Sequence, residues 1–102
     1  MKSNVMEKTG VRASIHWLSE AEGGRKHLPT SLNYSTVARF PQQQDWPNNA
    51  WSVVVEFGEP PKQDDLAQVR FLVDDAPRDW LTSGASFELL EGKKVVARVT
   101  IF

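Results

Sequence analysis

The stretch ASFELLEGKKVVARVTIF, Ala85 through Phe102, decides the fold. Two runs rich in apolar and β-branched residues flank Glu91-Gly92-Lys93-Lys94, a short turn signal, so the pair reads as an antiparallel hairpin. Its last strand ends on Ile101-Phe102 and is expected to be paired. Working back along the chain, AQVRFLVDD (Ala67–Asp75) reads as another strand, stopped by DDAPRDW. GEPPKQDD before it reads as a loop, in which Asp64-Asp65 would suit a turn or the start of one helical turn. AWSVVVEF (Ala50–Phe57) is dense in β-branched and aromatic residues and reads as a strand. PQQQDWPNN separates it from the strand YSTVARF (Tyr34–Phe40). Further back, VRASIHWL alternates Val11, Ala13, Ile15 and Trp17 against Arg12, Ser14, His16 and Leu18, the period of two of a half-buried strand.

Six strands with turn signals between them, and no sustained helical periodicity, predict an all-β fold, a small antiparallel barrel or sandwich. At 102 residues the chain accommodates one core and no second one. Residues 1–10 are polar and end in Thr-Gly, and read as a flexible arm ahead of a single domain at 11–102.

The formal net charge is −1, which gives no global attraction to nucleic acid or an anionic membrane. Basic groups weigh toward residues 1–51 and acidic ones toward 52–102, so polyanion binding would need a local patch. Zero cysteines exclude disulfides, thiolate metal sites and cysteine nucleophiles, and suit a reducing cytoplasm. The N-terminal MKSNVMEKTG lacks the apolar run of a signal peptide, and no stretch has the length of a membrane span. A cytoplasmic location without membrane contact is expected.

Signature motifs of phosphate loops, dinucleotide folds, zinc proteases and serine hydrolases are absent. His16 and His27 have no matching carboxylate pattern in sequence, and Asp64-Asp65 and Asp74-Asp75 read as turn formers. No catalytic residue, metal or other cofactor is expected. Trp17 and Trp51 fall within strand patterns and are expected in the core. Trp46 and Trp80 fall in proline-containing loops, where each would either cap the barrel or anchor a protein partner.

Two glycine turns carry an acid before and cations after: Glu22-Gly23-Gly24-Arg25-Lys26-His27 and Glu91-Gly92-Lys93-Lys94. Glycine permits close backbone approach and leaves N–H groups to face an oxygen anion, and the cations would pair with phosphate or carboxylate. Solvated turns are the competing interpretation.

On these residues a family resemblance appears. ASIHWLSEAEGGRKHLPTSLNYSTVARF resembles the opening of domain III, the C-terminal β-barrel of translation elongation factor Tu, whose first strand runs into Glu-Glu-Gly-Gly-Arg-His. SFELLEGKKVVARVTIF is similar to that domain's closing hairpin, so the resemblance spans about residues 11–102. It implies a six-stranded antiparallel barrel that binds and does not catalyse. In the family, the Arg-His after the double glycine and the Glu-Gly of the last hairpin touch the backbone of aminoacyl-tRNA. The matching positions are Arg25, with Lys26 replacing the histidine, and Glu91-Gly92, followed here by Lys93-Lys94. The family's nucleotide-binding domain has no counterpart, so no nucleotide binding is expected. The expected function is a protein-interaction module, with the alternative that the two turns hold tRNA or another RNA. Near-neutral charge favours the protein partner.

Overall fold

The computed structural model describes residues 10–102. It consists of six strands and two single turns of 3-10 helix. The strands are β1 (Val11–Trp17), β2 (Asn33–Arg39), β3 (Trp51–Glu56), β4 (Asp64–Phe71), β5 (Ser86–Glu91) and β6 (Lys94–Ile101). Every neighbouring pair is antiparallel, in the order β1-β4-β3-β2-β5-β6, and β6 pairs back onto β1 to close a barrel. The all-β, six-stranded antiparallel barrel expected from the sequence is therefore the fold. Among the described residues no helix is long and apolar enough to cross a membrane.

The period of two determines what fills the barrel. Ala13, Ile15 and Trp17 from β1, Val53 and Val55 from β3, and Val69 and Phe71 from β4 point inward and are buried. Phe87 and Leu89 from β5 join them, with Ala97, Val99 and Ile101 from β6. Alternation is not strict: Val54 is buried between Val53 and Val55 on β3, and the pattern breaks again at a bulge between β5 and β6. A register shift at Leu89/Leu90 leaves Val96 as an extra residue on β6, and two adjacent pairs, Leu89-Leu90 and Val96-Ala97, are all buried. Such a bulge re-aims the residues beyond it. Here those are the last pairs, Leu90–Val95 and Glu91–Lys94, next to the Gly92-Lys93 turn.

The strand from Ala67 to Asp75 is displaced from its expected limits. β4 begins at Asp64, where Asp64 and Asp65 pair with His16 and Ile15, and it ends at Phe71. Partner strand β1 overrides the turn preference of the two aspartates, although Asp65 still accepts from the Lys62 N–H at 3.0 Å. Leu72 and Val73 continue the apolar run outside the sheet and are exposed, while Asp74-Asp75 occupy a turn as expected. Residues 1–9 of the expected arm lie outside the described residues. Gly10 lies against β4, where a Cβ would come within 2.7 Å of the Val69 carbonyl oxygen.

Because neighbours are antiparallel, each barrel end collects alternate connections. One end carries segments 18–32, 57–63 and the Gly92-Lys93 turn. The opposite end carries 40–50 and 72–85, with the start of β1 and the end of β6.

Candidate functional site

The two glycine turns singled out in the sequence share one barrel end and are joined by an ion pair. Arg25 Nη1 donates to Glu91 Oε2, and the Tyr34 hydroxyl donates to the same oxygen. Arg25 Nε also donates to the His27 carbonyl at 2.8 Å, and its guanidinium carbon lies 5.8 Å from the centre of the Tyr34 ring. Tyr34 in turn meets the buried Trp17 edge-on at 5.2 Å. Arg25 is thus fixed by Glu91, by its own loop and by an aromatic stack resting on the core.

The double glycine works differently from its expected role. Ser19 to Glu22 form a capped 3-10 turn, in which the Ser19 N–H donates to Glu22 Oε1 at 2.8 Å. Gly23, at φ +91°, closes the turn in the left-handed region that favours glycine. The Gly23 N–H donates to the Glu20 carbonyl at 3.0 Å and the Gly24 N–H to that of Ser19 at 2.8 Å. Both amides are occupied within the loop, so they do not face an anion. Gly24 is needed for space, because the loop folds back onto Leu18 there. What the 18–32 loop presents to solvent at this end is therefore its side chains rather than its glycine amides.

Burial disfavours charge on all three partners of the Arg25–Glu91 cluster, yet the pair keeps its charges. Burial raises the Glu91 pKa, but hydrogen bonds from Tyr34 and Arg25, with the charges of Arg25 and Lys94, lower it further, to a net position below the ordinary carboxylate value. Burial likewise opposes the Arg25 charge, and the bond to Glu91 and its charge outweigh it, leaving Arg25 above its ordinary value. Burial, then the bond to Glu91 and its charge, pushes Tyr34 above the phenol range, so it stays a donor.

A pH dependence follows. With its folded pKa depressed, Glu91 contributes stability at pH values above its ordinary 4.5, and that stability is lost as pH falls through the lower folded value. Glu22, lowered mainly by the Ser19 backbone hydrogen bond, acts in the same direction and window. The urea midpoint of the wild type should exceed that of Glu91→Gln at pH 7, and the gap should shrink below pH 4.5. A gap that stays constant with pH would mean that the Glu91 charge is not what the cluster uses.

The remaining turn residues Lys26, His27, Gly92, Lys93 and Lys94 are exposed at the same end. Lys62 joins them from the 57–63 segment, so five cations, counting Arg25, lie among Glu20, Glu22, Glu59, Asp64, Asp65 and Glu91. Leu28 and Leu32, both exposed, lie in the same 18–32 segment. A recess of about 180 Å³ opens between this segment and Gln63, with Trp17, Leu18, Arg25 and Lys26 among its walls.

Trp46 and Trp80 lie at the opposite end, and each is half-buried. Trp80 packs against Phe40 at 5.1 Å, and Trp46 Nε1 donates to the Ala38 carbonyl at 3.2 Å while Arg39 lies 5.3 Å over its ring. Both rings thus make contacts within the barrel while each keeps part of its surface exposed.

Strand register supplies partners that no sequence spacing displays. His16 Nδ1 lies 2.6 Å from Asp64 Oδ1, the carboxylate absent from its sequence neighbourhood. Cross-strand pairing extends this into one row across the outer wall: Arg39, Glu88, Arg98, His16 and Asp64, each opposite the next. Arg39 Nε donates to Glu88 Oε1 at 2.9 Å. A groove of about 520 Å³ runs beside His16, Asp64 and Lys62. Asp64 and His16 are both exposed, so their pair is worth roughly 0.2–1 kcal/mol and orients the imidazole more than it stabilises the fold. Among the described residues no three His, Asp or Glu side chains are placed to hold a metal ion.

A scan against models of protein families and a search of curated proteins find no match for this chain.

Proposed function

We propose that this chain is a non-enzymatic protein-interaction module, and that its recognition surface is the barrel end built from segments 18–32 and 57–63 and the Gly92-Lys93 turn. The observation that carries this reading is the Arg25–Glu91–Tyr34 cluster, which fastens two distant turns into one surface. A preset surface lowers the ordering cost of binding. Its chemistry favours a protein over RNA. Cations alternate with at least as many carboxylates, which would repel a phosphate backbone but suits a partner of mixed charge. Exposed Leu28 and Leu32 add apolar contact of a kind a phosphate backbone does not use.

The RNA alternative draws on one observation, the convergence of Arg25, Lys26, Lys93 and Lys94 on the same end. The two readings separate in a capture experiment from extracts of the source organism, with and without ribonuclease. The wild-type chain should retain a specific protein after ribonuclease treatment, and the charge-reversed Lys26→Glu/Lys93→Glu variant should lose it while unfolding at an unchanged urea midpoint. Retention abolished by ribonuclease would establish RNA as the ligand. Retention unaffected by charge reversal but lost in Trp46→Ala would transfer the surface to the opposite end.

A further inference from the structure

We propose that the depression between the 40–50 segment, Trp51 and Trp80 is a binding site for a neutral carbohydrate of one or two pyranose rings. It lies at the barrel end opposite Arg25, so it goes beyond the protein-interaction reading and does not depend on it.

Its walls are aromatic. Trp51 opens β3, and Trp80 ends the second 3-10 turn, Arg78–Trp80. Both are half-buried, so each indole is anchored in the barrel and keeps part of its surface outside. Trp51, expected in the core, is thus only partly taken up by it. Phe71 meets the Trp51 ring edge-on at 6.2 Å, and Phe40 packs against Trp80 at 5.1 Å, which holds both indoles in place. A fixed indole offers a flat apolar face against which the C–H side of a sugar ring packs.

The rim is made of amides and one carboxylate. Gln42, Gln44, Asp45 and Asn49 line the same depression, and all four are exposed. The Gln42 and Gln44 side chains make no hydrogen bond with any described residue, so each presents an unused carbonyl oxygen and an unused amide nitrogen. Asp45 Oδ2 accepts from Asn49 Nδ2 at 3.1 Å, which leaves Oδ1 as a further acceptor. A hydroxyl both donates and accepts, so adjacent hydroxyls of a sugar match the paired donor and acceptor of a primary amide.

Charge and donor balance disfavour the other ligands that stack on indole. Among the described residues the lining has one acid, Asp45, and no cation, so a nucleotide would find nothing to meet its phosphate. A proline-rich peptide brings carbonyl acceptors but few donors, and would leave Asp45 and the glutamine oxygens unmatched. A volume of about 420 Å³ equals roughly fourteen waters at about 30 Å³ each, room for one or two sugar rings. The loop is also set before a ligand arrives. Gln43 Nε2 donates to the Asn49 and Asn48 carbonyls at 2.9 and 3.2 Å, and the Asn48 N–H donates to the Asp45 carbonyl at 2.8 Å. A pinned loop has little freedom left to lose on binding.

NMR titration of the full chain with maltose, cellobiose, lactose and N,N′-diacetylchitobiose tests the site. At least one of these should move the Trp51 and Trp80 indole signals and the Gln42 and Gln44 side-chain amide signals along one saturable curve. The indole of Trp17, buried toward the opposite end, should stay still. Sorbitol, which carries the hydroxyls without the ring, should give no saturation. Gln42→Ala/Gln44→Ala should raise the half-saturation concentration about five- to thirtyfold, as for the loss of two hydrogen bonds. Both side chains are exposed, so its urea midpoint should match the wild type. Trp51→Phe and Trp80→Phe assign the two indole signals.

No saturable shift with any of these disaccharides, or an equal shift with sorbitol, would overturn the proposal. Saturation by uridine monophosphate or by acetyl-tetraproline amide, without saturation by a disaccharide, would overturn it in favour of a nucleotide or a peptide. A sugar curve unchanged in the glutamine double variant would overturn this site. None of these results touches protein capture by the Arg25 end, which Lys26→Glu/Lys93→Glu reads separately.

Discussion

Gly24→Ala should destabilise the domain by about 3 kcal/mol or more, the largest effect expected of so small a change. The added Cβ would stand 2.6 Å from the Leu18 carbonyl carbon and Cβ, and nearer still to the carbonyl oxygen. Those atoms are mostly backbone at the exit of β1, where the Leu18 N–H is tied to the Val96 carbonyl at 2.9 Å, so nothing flexible can move aside. The loop must lift, taking Arg25 from Glu91. Gly23→Ala is the control. Its Cβ would meet nothing within 4 Å, so only the left-handed backbone at φ +91° is penalised, at about 1–2 kcal/mol. Urea unfolding of the two variants measures the difference. Equal losses would mean that the loop does not close on Leu18 as described.

Phe40→Ala should cost about 3–5 kcal/mol and lower the thermal midpoint by about 15–30 °C. Phe40 follows β2, is 1% exposed, and gathers the rings at the far end: Phe87 stacked at 4.4 Å, Trp80 at 5.1 Å and Phe71 at 5.6 Å. Its removal leaves those rings facing a void, which the rigid barrel wall can only partly fill. Differential scanning calorimetry gives the loss. Because Phe40 lies at the end opposite Arg25, the surviving folded fraction should retain its partner at wild-type strength. Weakened binding by the folded fraction would show that the two ends are coupled.

The fold was legible in the sequence wherever the signal was local. Alternation from Val11 to Trp17, the β-branched run at 51–55, and the glycine at 92 place β1, β3 and the β5–β6 hairpin within a residue or two of their observed limits. Where pairing with a distant strand decides, local preference misleads. Asp64 and Asp65 are turn formers by type, and become strand because β1 lies opposite. The Val96 bulge has no sequence signal, since one further valine in an apolar run looks like any other.

The candidate site divides along the same line. Arg25 and Glu91 stand out as glycine-turn residues whose types suggest that each faces a partner, and their separation by 66 positions in the chain conceals that they face each other. Tyr34 reads only as part of a strand, and its hydroxyl bond to Glu91 depends on how β2 and β5 align. His16 lacks a carboxylate within its own neighbourhood and acquires Asp64 through register alone. Composition anticipated the mixed-charge character of the surface, since a net charge of −1 leaves little room for a dominant basic patch.

The pairing of β6 with β1 has a consequence for the order of synthesis. A ribosome delivers β1 first, yet one of its flanks stays bare until the residues up to Ile101 have emerged, about ninety positions later. Arg25 waits almost as long for Glu91. A product terminated before β5 would present an open β1 flank, available to add onto strands of other chains, and would lack the clasped end altogether. The closed barrel, by contrast, offers no such flank, so strand addition to its sheet is not available. The clasped end of the barrel thereby exists only once its last two strands have formed.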